Sequence, residues 1–214
     1  MESNTPVIWF KSYPDPQDSF AGSLWIAIHT QIYNYMHIND YIIRINKIDS
    51  LISYRDYLGF LEEDNALEKI SSAVNRNLKK LKIQEFKFSL SMDNDPQKAL
   101  AYMKKGRSLV IGIPYRDAGK FTGYNTINTG ISGDIMYYMV AVNDGNDVYF
   151  IPGIEGVEVK TSIENLYDQY RHIIGRMEFD KFMDYCVANR EIIKVVYASV
   201  LTRTGEEVRS LNEY

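Results

Sequence analysis

The chain has 214 residues, 45% of them hydrophobic and 24% charged, with 24 Lys and Arg against 28 Asp and Glu for a formal net charge of -4. That size and balance allow a sizeable core without staples and exclude disordered, collagen-like and coiled-coil classes, so one compact domain over 1–214 is expected. A single cysteine, Cys186, excludes an intrachain disulfide framework and a cysteine-based zinc cluster.

The cations are scattered rather than gathered into a stripe, and "NLKKLK" (77–82) reads as the wet face of a helix, so no nucleic-acid partner is expected. The N-terminal segment lacks a basic stretch followed by an apolar run, and no window approaches the roughly 18 uninterrupted apolar residues of a membrane span. The expectation is a chain with no membrane partner and no standard secretion signal.

After an extended lead-in punctuated by Pro6, Pro14 and Pro16, the residues Ser19, Gly22 and Ser23 supply helix-start chemistry. Leu24, Ile28, Ile32 and Tyr35 follow at helical spacing and predict a buried helix over about 22–37. "DYIIRIN" (40–46) predicts a short strand. "DNALEKISSAVNRNLKKL" (64–81), capped by Asp64 or Asn65, predicts an amphipathic surface helix. "IQEFKFSL" (83–90) alternates as a strand does. "DNDPQKALAYMKKG" (93–106) opens on a capping Asp95 with Pro96 at the first helical position and ends on Gly106. "RSLVIGIPY" (107–115) is continuously apolar, as a central strand is.

A glycine-rich loop is expected over 117–134, then two strands joined by a hairpin turn at "NDGND". "VEVK" (157–160) predicts another strand, and Thr161 or Ser162 caps a helix over "IENLYDQYRHII". "EFDKFMDYCVAN" predicts a last helix and "IIKVVYASVLT" (192–202) a closing strand. The class is α+β: a helix-rich part over about 15–106, a sheet-rich part over about 107–160, and C-terminal helices and a strand over 161–214.

Metal and cofactor chemistry are not expected. The three histidines, His29, His37 and His172, form no His-x-x-x-His pair, and the acidic "DPQD", "LEED" and "DNDP" clusters suit caps and turns. "NDGND" lacks the spaced ligands of a calcium loop, and "GKFTGYNTINTG" lacks the Lys-Ser/Thr ending of a phosphate loop. Cys186, in "FMDYCVAN", reads as a buried small hydrophobe on a helix.

Two stretches together resemble the papain-like cysteine peptidase superfamily, in its branch similar to bacteriocin-leader-processing peptidases. The first is "QDSFAGSLWIAIHTQIYNYM" (17–36). The second is "QKALAYMKKGRSLVIGIPY" (97–115), followed by "GDIMYYMVAVNDGNDVYFIPGIEGVEVKTSIENLYDQY" (133–170). The resemblance implies a papain-like fold in which an N-terminal helix packs on an antiparallel sheet with additional helices. It puts the nucleophile position at Ala21, or at Leu24 by the papain-type signature over 21–25, the base at Met136 and the orienting residue at Ile151. A thiolate needs a cysteine at a helix start, an imidazole beside it and a carboxylate or amide to orient the imidazole. Four apolar residues can do none of this, so the resemblance implies an enzyme scaffold without its chemistry and assigns no catalytic residue.

The rival expectation is a hydrolase using Ser23 as nucleophile, with Gln17 six residues earlier as the oxyanion-stabilising group. Its base would have to come from His29 or His37 on the same helix, or from His172 on a late one. For the inactive scaffold the expected work is structural or protein-binding, with protein partners up to a large assembly. The 17 tyrosines suit interfaces. The abundance of Tyr, Ile, Asn and Lys suits a phage or large virus, hence a virion or the host cytoplasm. A host-directed effector that binds one cellular protein is the other expectation.

Overall fold

Seven consecutive buried residues, Gly22 to Ile28, with Thr30 and Ile32 beyond them, make the first helix one that is covered on all sides rather than along one stripe. This is α1 (Ser19–Ile38), which packs against the short strand β1 (Val7–Lys11) and across a six-stranded sheet. A computed structural model describes residues 7–11, 19–38, 65–84, 86–93, 95–104, 108–122, 135–152 and 158–202. The strand expected over 40–46, the cap Asp64, the oxyanion candidate Gln17, the helix end at Gly106, the clusters "DPQD" and "LEED" and the loop from 123 to 134 lie outside the described residues.

The remaining elements follow in order: α2 (Ala66–Lys80), β2 (Phe86–Met92), α3 (Pro96–Lys104), β3 (Leu109–Pro114), a 3-10 turn (Tyr115–Lys120), β4 (Met136–Asn143) and β5 (Asp147–Ile151). Then come β6 (Glu158–Ser162), α4 (Ile163–Tyr170), β7 (Gly175–Glu178), α5 (Phe179–Ala188) and β8 (Lys194–Thr202). The large sheet runs β2-β8-β3-β4-β5-β7 with every neighbour antiparallel, and β1 pairs β6 in a separate two-stranded sheet. This is the α+β class. β3 is buried throughout and central, as its apolar run requires. β2, from the helix-rich N-terminal part, supplies one edge of the same sheet.

Strand alternation divides the core in two. Tyr138, Val140 and Val142 of β4 face α1, α2 and α4, together with Val110, Tyr149, Ile151, Val196 and Ala198. Tyr137, Met139 and Ala141 face the other way, onto α3, α5 and the 3-10 turn.

Local chemistry sets several boundaries. Asp95 accepts a bond from the Gln97 amide at 2.9 Å and so caps α3 ahead of Pro96, while Ser162 does the same for α4 from Asn165 at 3.3 Å. Asn65 precedes α2 without a side-chain cap bond. The β4–β5 turn is held by Asp144, which accepts from the amides of Asn146 at 2.9 Å and Asp147 at 2.8 Å; Gly145 sits at φ +112, a conformation that suits glycine.

Three expectations are corrected. The chain after β3 is a 3-10 turn from Tyr115 before any loop, with Tyr115 and Ala118 buried in the core. The helix expected through Ile174 stops at Tyr170: Ile173 and Ile174 both bond back to the Tyr170 carbonyl, and Ile174 then bridges Thr122. The residues that follow form β7, an edge strand on β5, where no strand was expected. "GRME" has no apolar alternation, so its extended state comes from pairing with β5 and from the Arg176–Asp147 ion pair.

Candidate functional site

The start of α1 rests on the middle of the large sheet and is pinned there by one bond that crosses the fold: the Tyr138 amide donates to Ser19 Oγ at 3.1 Å. Ser19 is itself buried. Next to it, the Phe20 ring packs on the Tyr138 ring with centroids 4.3 Å apart. Tyr138 has room because its cross-strand partner is Gly112, where a Cβ would lie 2.4 Å from the Tyr138 ring. A glycine inside an apolar strand marks a close approach by another group, here an aromatic side chain laid across it. Half-burial beside apolar neighbours raises the Tyr138 phenol above its ordinary value.

Four sequence-marked positions fall on this side of the sheet or on the helix above it. Leu24 and Ile151 are fully buried in one core with Val140 between the strands. Met136 opens β4 and, by alternation from Tyr138 and Val140, stands on the same face. Ala21 lies in the first turns of α1, and nothing about its side chain belongs to the described structure. The structure does not make a facing pair of Met136 and Ile151. The register sets Ile151 opposite Val140, so Met136 lies four residues, about 13 Å, further along β4. A base and an orienting carboxylate at those two positions would be out of hydrogen-bond reach. The β4 residue that meets the start of α1 is Tyr138, which the sequence reading did not single out; the interior Gly112 was the signal that could have found it.

Ser23 is fully buried, and its Oγ has no hydrogen-bond partner. A nucleophilic hydroxyl needs an acceptor within about 3 Å and a path for substrate; among the described residues Ser23 Oγ has no partner, and the residue is fully buried. His172 is exposed in the turn after α4, its ring 6.5 Å from Tyr170. The side chains of His29 and His37 lie outside the described structure. The thiol of Cys186, on α5, is 1% exposed, and burial pushes it up to about 12. Burial thus keeps the thiol protonated and away from solvent at neutral pH. No group of three or more His, Cys, Asp or Glu suited to a metal occurs among the described residues, and no described helix is long and apolar enough to cross a membrane.

A depression of about 360 Å³ lies at the β5–β7 edge of the sheet, lined by Asp147, Tyr167, Arg176, Met177, Glu178 and Lys181. Its charges are already matched internally. Arg176 pairs with Asp147 (Nε–Oδ2 2.7 Å) and lies over the Tyr149 and Tyr167 rings at 5.5 and 6.0 Å, and Lys181 pairs with Glu178 at 3.0 Å. It offers stacking and packing area rather than a reactive group.

Comparison of the chain with protein-family models, with curated proteins and with solved structures gave no match.

Proposed function

We propose that this chain is a catalytically inactive papain-like domain that works as a structural or protein-binding module. One observation carries the reading: on the sheet face covered by α1, where such a fold keeps its reacting groups, the described positions are apolar or sealed. Leu24 and Ile151 are core residues, and the candidate nucleophile Ser23 is fully buried with no hydrogen-bond partner among the described residues. The support from the fold is architectural, a buried helix on an antiparallel sheet, while the β4–β5 register departs from a residue-for-residue match at Met136 and Ile151.

The work then belongs to surfaces, and protein partners are the ligands such surfaces take. The abundance of Tyr, Ile, Asn and Lys favours a phage or viral particle, or the host cytoplasm, as the setting. A serine-directed phosphonate probe tests the reading directly, with the full chain and Ser23→Ala run side by side. No covalent adduct is expected on either. An adduct on the native chain that disappears in Ser23→Ala would establish a hydrolase and end this reading. For the positive half, the native protein should sediment with a large assembly on a density gradient; a fully free monomer would exclude the particle role.

A further inference from the structure

The free side of β2 is already occupied, and by a helix. The Asn75 side-chain amide of α2 donates to the Phe88 carbonyl at 2.8 Å and accepts from the Phe88 amide at 2.8 Å. These are the two bonds that a neighbouring strand residue would make. One helical turn earlier, Ser71 Oγ accepts from the Leu90 amide at 2.9 Å and is itself fixed by donating to the Leu67 carbonyl at 2.7 Å.

The spacing explains why a helix can do this. Four residues of α-helix advance about 6.0 Å and two residues of strand about 6.6 Å, so positions 71 and 75 match Leu90 and Phe88 with α2 antiparallel to β2. The buried stripe of α2, Ile70, Val74 and Leu78, lies one residue before or three after those two positions and holds them against the edge. What they cover is a strand that needs covering. "FKFSLSM" alternates strictly, has high strand propensity and one charge, and contains no proline or glycine.

We propose that Asn75 and Ser71 act as a side-chain substitute for a further strand, and that the surface they seal fits β2 of a second copy of this chain. The sequence of β2 is matched to itself. With β8 taking the bonds of Lys87, Ser89 and Ser91, the outward groups belong to Phe88 and Leu90. Two copies meeting antiparallel about Ser89 would pair Phe88 with Leu90 in both directions. Apolar residues then share one face, Ser89 meets its own copy, and Lys87 stands opposite Ser91. Once α2, whose buried stripe lies against this edge, is displaced from it, the two large sheets would become one continuous sheet.

The test uses the full chain carrying Ser71→Ala with Asn75→Ala, which removes both caps and leaves no side chain of similar size on the edge. In dilute solution the Phe88 and Leu90 amides should exchange about tenfold faster than in the native chain. Sedimentation should show association that grows with concentration and restores their protection. In a version that also carries Ser89→Cys, oxidation should link two copies through position 89, because opposed residues of a non-hydrogen-bonded pair bring their Cα atoms to about 4.5 Å. A variant that stays monomeric at every concentration, or associates without the link at 89, overturns the proposal. Should the double variant lose its helical and strand circular dichroism, Ser71→Ala alone decides. Faster exchange at Leu90 with Phe88 unchanged supports the seal, and native exchange at Leu90 refutes it.

Discussion

On the α1 side of the large sheet the core is mainly aliphatic, built from Leu24, Ile26, Ile28, Ile32, Val140 and Ile151. On the α3 and α5 side it is a mesh of rings. There Phe121 stands edge-on to Phe150 at 4.9 Å, to Tyr185 at 4.7 Å and to Phe182 at 6.4 Å, and Phe150 meets Phe182 at 5.1 Å. Tyr102 and Tyr197 add a further edge-on pair at 4.9 Å. Aliphatic contacts have no preferred interplanar angle, whereas edge-to-face rings add about 0.5–1.5 kcal/mol per pair and demand particular angles. The comparison teaches that the angle-dependent ring contacts gather on the face remote from the candidate site. It also pairs two oddities among the described residues, buried hydroxyls without a partner: Ser23 on the α1 side and Tyr197 on the other.

Removing a ring should have the largest effect. Phe150→Ala leaves a cavity against the Phe121 and Phe182 rings and is expected to lower stability by about 3–5 kcal/mol, read from a shifted urea midpoint. A loss under about 2 kcal/mol would break the claim that the ring contacts hold this face together. Next comes Gly175→Ala, at the crossing of β7 and the 3-10 turn, where the new Cβ would sit 1.7 Å from the Phe121 carbonyl oxygen. Since backbone must move, a cost of about 3 kcal/mol and a clear fall in Tm are expected.

The orphan hydroxyls predict the opposite sign. Ser23→Ala and Tyr197→Phe each remove a buried polar atom that has no partner, and each should leave stability unchanged or raise it by about 1 kcal/mol. A loss beyond about 1 kcal/mol in Ser23→Ala would show that its Oγ is engaged in solution and would reopen the site.

The smallest effect concerns the hairpin. Burial alone would raise the Asp144 carboxyl, but the amides of Asp147 and Asn146, the Tyr149 hydroxyl and Arg176 outweigh it and hold the group below its usual 3.8. A lowered value in the folded state means that the stabilisation is complete above the unfolded value and is lost as pH falls through the folded one. The stability gap between the native chain and Asp144→Asn should therefore be constant above about pH 5 and shrink below about pH 4.

Asp144 was legible in the sequence because its work is local. The same holds for Pro96 after the capping Asp95, for the apolar stripe of α2, for the continuous apolar run of β3 and for Cys186 as a buried residue of a helix. The stop of α4 at Tyr170 and the strand Gly175–Glu178 were not legible, since neither residue pattern nor propensity marks them; pairing with β5 and the Thr122–Ile174 bridge decide them. At the candidate site, the sequence led to the α1 start and to apolar residues at Leu24, Met136 and Ile151. It could not supply the register that separates Met136 from Ile151 or the placement of Tyr138 over Gly112.

The sequence by itself determined the α+β class, the buried character of α1 and most helix and strand spans, because periodicity, capping residues and turn chemistry act over a few neighbouring residues. Only the tertiary structure decided which strand residues stand opposite one another, that Ser23 is fully buried without a partner among the described residues, and that Asn75 and Ser71 complete the edge of β2. Each of these rests on groups distant in the chain meeting at hydrogen-bond range, and their positions are set by the packing of the whole sheet.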